Sequence, residues 1–452
     1  MERQNHKFNL EALATGLIIG TMILLPVVEF IMSLLGQPFC YQEGIVELFG
    51  YAAFILLLLN ISKRKKIEIH LSDILLIALF LFAILSLIFT KDMEQSLYGE
   101  KYDYREGITI FFSYYCVALL ASRIAGTTHR KKIVQTFYVL GIIEIGVGIL
   151  QYFGLWMYPP LYLPEFENNL SDNAQWAFGF TEHFNFFTAL VIIFTALTAG
   201  KFLICEKRLK LKFFLASAFC FFGVMTTYTR IGWLGTIGFL CFLILLGIIA
   251  KKIKVTKQEL NKKGIIALIV LYLAIFAGSA IVFPNLQDNI QESVDEADGK
   301  KNPGNGRMII WTQGLETVPK WWYVGTGLDN YKYAFYWDDP EYDGWYQDKG
   351  HNEYIHILVT QGVFATATLL TMICYNLFTS AKRYLLSTAG TEETEITFLL
   401  LVMYAGYLSQ ALVNSSVTNV AIYNWIITGL LLYSKDKKIL LTIEDKKTEN
   451  QQ

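Results

Sequence analysis

The sequence predicts an all-α polytopic membrane protein with about twelve transmembrane helices and one large extracytoplasmic loop. Of its 452 residues, 54% are hydrophobic and only 17% are charged, which is more apolar sequence than a soluble domain of this size needs. Apolar runs of roughly 17–25 residues, each long enough to cross a bilayer, recur along the chain. The twelve predicted spans are residues 11–35, 43–62, 70–90, 108–124, 133–153, 182–204, 213–228, 231–250, 264–283, 353–378, 396–413 and 418–433.

The basic connections between these spans predict the orientation. ISKRKK (61–66), KRLKLK (207–212) and KKIKVTKQELNKK (251–263) all fall on one side of the predicted topology. Because Lys and Arg accumulate in short cytoplasmic loops, that side is predicted to be cytoplasmic, together with both termini. We therefore expect the chain in the cytoplasmic membrane.

The same pattern divides the chain into four parts. Residues 1–283 carry the predicted helices 1–9, residues 284–352 form the large extracytoplasmic loop, residues 353–434 carry helices 10–12, and residues 435–452 form a cytoplasmic tail. Within 284–350 there are 12 Asp and Glu against 6 Lys and Arg, a net charge of −6. This acidity argues against nucleic acid as a partner of the loop. The loop also holds 12 aromatic side chains, which form either an interfacial belt with a small core or surfaces for stacking sugar rings.

Ionisable side chains at a membrane boundary are costly, so they are candidates for function. Arg230 lies in TTYTRIGWLG (226–235), in the short connection between two predicted spans. A snorkelling arginine that anchors a helix end is the structural alternative. Such anchors accumulate on the cytoplasmic side, whereas Arg230 is predicted on the opposite side, so the pattern favours a functional role.

Two glycine-containing motifs of the loop offer further candidates. In GNGRMIIWTQGLETVP (304–319), a turn precedes a short helix that Pro319 is expected to stop. Arg307 stands in the first turn of that helix, where a cation beside free amide groups predicts an anion site; pairing with a loop carboxylate is the alternative. In VGTGLDNY (324–331), Gly327 either lets the backbone approach a ligand or forms a plain turn.

The motif HNEYIHILVTQG (351–362) stands where the loop re-enters the membrane. Asn352 or Glu353 could cap the following helix. His351 is a neutral base near physiological pH at the boundary, within reach of an acceptor hydroxyl. His356 is expected to be a packed core residue.

Two more segments on the same predicted face carry polar residues that either cap helix ends or share a pocket with the others. They are YDYREG (102–107), with Arg105, and AFGFTEHFNFF (177–187), with His183 and Asn185.

Two alternatives point to other functions. Glu144, near the middle of a predicted span, is either a hydrogen-bonded structural acid or the proton relay of a transporter. The carboxylates of DDPEYDGWYQD could serve a metal-dependent transferase or could simply be solvated. These are Asp338, Asp339, Asp343 and Asp348.

Taken in order, the motifs resemble the O-antigen ligase and Wzy polymerase superfamily of bacterial envelope glycosyltransferases. The resemblance spans roughly residues 95–375 and rests on YREG, GILQYFG (148–154), AFGFTEHFN, TYTRIGWLG, the loop that contains Arg307 and VGTG, and HNEYIHILVTQG. Thr229 is a departure, because many relatives have a serine before the arginine.

This resemblance implies a GT-C-like, inverting and metal-independent glycosyl transfer without a cofactor. The implied donor is a glycan on a polyprenyl diphosphate such as undecaprenyl diphosphate, and the acceptor is a glycan or lipid, with a flippase and a chain-length regulator as partners. Repeat-unit polymerisation is slightly favoured over ligase-type transfer, and a polysaccharide transporter or flippase is the rival. The implied catalytic residues are Arg230, Arg307 and His351, and the predicted substrate-binding residues are Arg105, His183, Asn185, Asn352 and Gly327.

Overall fold

The computed structural model describes residues 9–35, 41–63, 66–99, 105–155, 176–181, 183–252, 261–301, 304, 306–336, 347–433 and 439–444. The helices within these ranges are α1 Leu10–Leu34, α2 Gln42–Ser62, α3 Leu71–Leu87, α4 Met93–Tyr98, α5 Ile108–Ala121, α6 Thr127–Tyr152, α7 Phe184–Ile204, α8 Lys210–Thr226, α9 Arg230–Lys252, α10 Lys262–Val282, α11 Pro284–Ala297, α12 Arg307–Trp321, α13 Tyr333–Tyr336, α14 Glu353–Leu386, α15 Glu392–Gln410 and α16 Thr418–Leu432. The strands are β1 Lys66–His70 and β2 Ile439–Glu444.

A helix occupies each of the twelve ranges in which the sequence predicts a span. Among the described residues, eight helices are long and apolar enough to cross a membrane, and α3, α5 and α16 are shorter apolar helices. The helical membrane-protein class is therefore confirmed. The count of twelve spans and their orientation remain predictions.

Helix α7 lies at the centre of the bundle. Its sequence is apolar on every side, as expected of a helix that neighbours surround completely, and nearly all of its residues are buried. Glycines on the adjacent helices allow the close approach. A Cβ on Gly141 of α6 would lie 2.4 Å from Phe194, and one on Gly235 of α9 would lie 2.4 Å from Ile192.

Helix α14 consists of two segments joined at Gly362, whose backbone is left-handed with φ 82°. The loop backbone inserts at this break. The amide of Thr326 donates to the Val359 carbonyl (2.9 Å) and that of Gly327 to the Thr360 carbonyl (2.9 Å), while the amide of Val363 donates to the Trp322 carbonyl (2.7 Å). The loop thus supplies hydrogen bonds that an unbroken helix would make internally.

Three details differ from the sequence predictions or decide between them. Pro319 does not stop α12, which continues to Trp321, because a proline near a helix end removes a single backbone hydrogen bond. Part of the predicted tail, residues 439–444, forms β2, which pairs antiparallel with β1. Glu144 accepts a hydrogen bond from the amide of Phe180 (3.2 Å), which favours the structural-acid interpretation.

Candidate functional site

Arg230 is the first residue of α9, and three residues separate it from the end of α8. Tyr228 in that connection is left-handed, with φ 53°, and its carbonyl accepts a hydrogen bond from the Asn289 side chain (2.7 Å). A cation at a helix N-terminus opposes the helix dipole. Two carboxylates on one face of α11 compensate for it: Arg230 Nη1 lies 2.8 Å from Glu296 Oε2, and Nη2 lies 3.2 Å from Glu292 Oε2.

Arg307 is the first residue of α12 and lies close to Arg230. The same Glu296 oxygen that binds Arg230 also accepts a hydrogen bond from the amide of Gly304 (3.1 Å), so one carboxylate joins the starts of α9 and α12. Burial lowers the pKa of Arg307, the positive charge of Arg230 lowers it further, and the negative charge of Glu296 raises it. The guanidinium of Arg307 makes no hydrogen bond or ion pair with another described residue, unlike that of Arg230.

His351 faces this arginine pair from the end of the loop. Its backbone is left-handed, with φ 45°, and its amide donates to Ser415 Oγ (3.2 Å). The ring Nε2 lies 3.2 Å from Gln347 Oε1, an oxygen that can only accept. In the tautomer in which Nε2 donates to this oxygen, Nδ1 keeps its lone pair. Burial and the charge of Arg307 lower the pKa of His351 to about 4, so the ring is neutral at neutral pH.

His183 and Asn185 lie beside His351 at the start of α7. His183 caps this helix, with Nδ1 accepting from the amide of Asn185 (3.0 Å), and its ring packs against Phe184. Burial and nearby His351 lower the pKa of His183 to about 4. The Asn185 carbonyl accepts from the Asn414 side chain (3.1 Å), next to the serine that binds the His351 amide. The structure therefore brings together the predicted residues on α7, α9, α12 and the end of the loop.

Asn352 caps α14. Its Oδ1 accepts hydrogen bonds from the amides of Tyr354 and Ile355, both at 3.0 Å, as the capping alternative predicted. The carboxylate of Glu353 instead accepts from the hydroxyl of Tyr407 (2.9 Å).

Gly327 and Arg105 lie in other surroundings. Gly327 has φ 105°, and a Cβ there would lie 2.3 Å from Thr90 Oγ1 and 2.9 Å from Ser96 Oγ. This favours a role in close packing of the turn. The Arg105 carbonyl accepts from the hydroxyl of Thr418 (2.6 Å). For both residues, substrate binding remains a prediction.

A buried charge cluster that the sequence predictions missed lies behind His351. Lys349 Nζ is 2.5 Å from Asp329 Oδ1 and 3.3 Å from Glu106 Oε2. Glu106 also accepts hydrogen bonds from Tyr114 and Ser416, both at 2.9 Å. Burial opposes the charged form of Lys349, but the two carboxylates outweigh it and hold the pKa of the ammonium above its ordinary value. The nearest signal in the sequence is Glu106 beside Arg105, but nothing local marks Lys349.

No group of three or more His, Cys, Asp or Glu residues that could hold a metal ion occurs within the described ranges. Of the four carboxylates considered for a metal site, Asp338, Asp339 and Asp343 lie outside those ranges, and only Asp348 lies inside them.

Residues 215–370 match the family model described as O-antigen ligase. The matched segment runs from α8 into α14 and contains Arg230, Arg307 and His351, whereas Arg105, His183 and Asn185 precede it. A search of curated proteins finds no match to the chain. Over residues 215–370 the chain therefore matches the O-antigen ligase family, and this match confirms for that segment the resemblance to the O-antigen ligase and Wzy superfamily.

Proposed function

We propose that the protein is a membrane-embedded inverting glycosyltransferase that transfers a glycan from a polyprenyl diphosphate to an acceptor hydroxyl. The observation that carries the proposal is the grouping of Arg230, Arg307 and a neutral His351, in which the Arg307 guanidinium has no bonded partner among the described residues. Two cations beside a base fit the transfer of a sugar from an anionic leaving group to a hydroxyl. The family match supports ligase-type or polymerase-type glycan transfer.

The arginines would receive the diphosphate of the donor. Diphosphate carries several negative oxygens, and the planar fork of a guanidinium binds two such oxygens at once. Arg307 can bind them directly, while Arg230 exchanges the carboxylates of Glu292 and Glu296 for phosphate oxygens. Negative charge builds on the diphosphate as the glycosidic bond breaks, so preorganised cations stabilise the transition state more than the ground state.

His351 would activate the acceptor. The acceptor oxygen attacks the anomeric carbon from the face opposite the diphosphate, its proton moves to Nδ1 of His351, and the electron pair of the broken C–O bond leaves with the diphosphate. Gln347 holds the Nε2 proton and so keeps Nδ1 available. Because Arg307 lowers the pKa of His351, a diphosphate bound to Arg307 would offset that charge and raise the pKa again. The base therefore strengthens when the donor is in place.

The remaining predicted residues would bind substrate around this centre. His183 and Asn185 border His351 and are assigned to glycan binding, and Asn352 keeps its amide nitrogen available after capping α14. Arg105 and Gly327 are also proposed to bind substrate.

The proposed location, orientation and partners of the protein in the cell are those that the sequence predicts. The protein would act in the cytoplasmic membrane, with the site on the extracytoplasmic face, both termini in the cytoplasm, and a flippase and a chain-length regulator as partners. We favour repeat-unit polymerisation slightly over transfer of finished polysaccharide to a lipid, wall or protein acceptor. The reaction is proposed to be metal-independent, and loss of transfer by the purified protein in EDTA would contradict that.

Alanine substitution tests the proposal. Arg230→Ala, Arg307→Ala and His351→Ala should each lower glycan transfer by about 10²–10⁴-fold, the range expected for loss of a charge stabiliser or a general base. Transfer is measured in cells that lack the chromosomal copy, with membrane insertion of each variant checked. Glu144→Gln is the matched control and should keep transfer near the wild-type rate.

Measuring the binding of undecaprenyl diphosphate to the purified protein distinguishes donor binding by Arg307 from proton transfer by His351. Arg307→Ala should bind it more weakly, whereas His351→Ala should bind it as the wild type does. Wild-type transfer by His351→Ala would contradict the base assignment. Loss of function in Glu144→Gln, with transfer retained in the three alanine variants, would favour a transporter.

A further inference from the structure

The three residues that end in His351 are held from several sides, by groups outside α14 and by His356 within it. Lys349 is bonded to Asp329 and Glu106, the Gly350 carbonyl accepts from Trp311 Nε1 (2.9 Å), and the His351 amide donates to Ser415 Oγ (3.2 Å). The Gly350 amide also donates to Nδ1 of His356 (3.3 Å).

His351 itself needs such anchoring. A left-handed backbone at φ 45° is unfavourable for a residue with a side chain, and it persists only where the surroundings enforce it. The anchors on residues 349 and 350 and the Ser415 hydroxyl together fix this conformation. The direction of the imidazole therefore depends on contacts made before and beside it.

The charge cluster is the strongest of these anchors. The side chain of Lys349 is only 7% exposed, and those of Glu106 and Asp329 are 3% and 1% exposed. Each partner comes from a different part of the chain: Glu106 precedes α5, Asp329 lies in the VGTGLDNY segment, and Lys349 lies at the end of the loop. A buried charge cannot leave such a cluster without stranding its partners, so the cluster holds the loop end against the helical bundle.

We propose that the Lys349–Asp329–Glu106 cluster is a positioning device that sets the place and direction of His351 for proton transfer. The proposal rests on the proposed function. Lys349 lies two residues from His351 and its ammonium is held by two carboxylates, so it acts through the backbone that it fixes. A displacement of about 1 Å at a reacting group can lower the rate about 100-fold, so a small shift of the anchor is enough to matter.

The main test compares variants that keep or remove the charge. Lys349→Met alone would strand two buried carboxylates, so the test variant is the double substitution Lys349→Met with Asp329→Asn, which removes one of them. We expect glycan transfer to fall by about 30-fold or more, with affinity for undecaprenyl diphosphate within about twofold of wild type. Lys349→Arg, which keeps the cation, should retain most of the transfer, and Lys300→Met, at an exposed lysine of the same loop, should transfer at the wild-type rate.

A double-mutant cycle adds a second criterion. Because the cluster acts through His351, adding the Lys349 and Asp329 substitutions to His351→Ala should lower transfer little further. Ser415→Ala, which removes only the acceptor of the His351 amide, should also lower transfer while undecaprenyl diphosphate still binds.

Three results would overturn the proposal. Wild-type transfer by the double variant Lys349→Met with Asp329→Asn would show that the cluster is not needed to position His351. If that double variant does not fold, unchanged transfer by Ser415→Ala would show that anchoring of the His351 backbone is not needed. An equal loss of transfer and of undecaprenyl diphosphate affinity would indicate general structural damage. Failure of the proposed function is separable, since it appears as wild-type transfer by His351→Ala itself.

Discussion

Two clusters of this protein each hold a central cation between two carboxylates, Lys349 in one and Arg230 in the other. They differ in burial, and Glu292 of the Arg230 cluster also pairs with a second cation, Lys301 (3.0 Å). Around Lys349 all three side chains are buried, whereas Arg230, Glu292 and Glu296 are 20%, 37% and 14% exposed. A buried pair is expensive to break because the remaining charge loses both water and partner, while an exposed pair contributes little. A similar arrangement therefore gives a fixed cluster in one place and, under the proposed function, a cluster that phosphate oxygens can displace in the other.

The largest expected difference between the clusters concerns stability. Lys349→Met should lower the free energy of unfolding by about 3–5 kcal/mol, because Asp329 and Glu106 stay buried without a counter-charge. Arg230→Met should lower it by less, because water reaches the freed Glu292 and the Gly304 amide still donates to Glu296. Thermal unfolding of the purified proteins in detergent measures both, and equal losses would remove the distinction.

Acidification sharpens the comparison at the histidines beside the arginines. His351 and His183 have pKa values of about 4 in the folded protein against an ordinary 6.5, so the unfolded chain binds protons more readily between these values. The free energy of unfolding should therefore fall as pH drops from about 6.5 towards 4. The raised pKa of Lys349 keeps its ammonium charged throughout this range.

This pH dependence is measured by thermal unfolding across pH 7.5 to 4. His351→Gln should flatten the slope, and His351→Gln combined with His183→Gln should flatten it further. An unchanged slope in the double variant would assign the acid sensitivity to other groups.

The smallest expected effect concerns the carboxylates that occupy Arg230. Glu292→Gln removes one competitor of the diphosphate, so affinity for undecaprenyl diphosphate should rise by about two- to fivefold, the equivalent of one exposed ion pair. Asp288→Asn, on an exposed position of the same helix, is the control and should leave affinity unchanged. Weaker binding by Glu292→Gln would mean that this carboxylate supports the site rather than competing for it.

The sequence was sufficient to predict the helices, because long apolar runs leave a chain few alternatives to membrane-spanning helices. It also predicted which polar residues would meet at one face, since charge at a membrane boundary is costly and therefore conspicuous. Arg230, His351 and His183 were found this way, Arg307 was found from its place in the first turn of a loop helix, and the structure groups all four.

The sequence alone did not predict which charged residues from distant segments form ion pairs. Residues 106, 329 and 349 approach one another only through the tertiary fold, and a lysine in a polar loop looks the same whether it is solvated or buried. The partners of Arg230 were hidden for the same reason, because Glu292 and Glu296 are two among many loop carboxylates. The sequence left Gly327 open between a ligand contact and a turn, and only its packing against Thr90 favours the turn.

The break in α14 at Gly362 has a consequence for how this protein can be divided. Residues 322–327 of the loop and residues 359–363 of the helix share their backbone hydrogen bonds, so neither segment has a complete set without the other. An excised loop would lose the α14 carbonyl groups to which its amides donate. A helix joined to an unrelated loop would keep the carbonyl groups of Val359 and Thr360 without hydrogen-bond donors in an apolar environment. A chimera in which this loop is replaced by that of a related protein should therefore replace residues 359–363 of α14 as well.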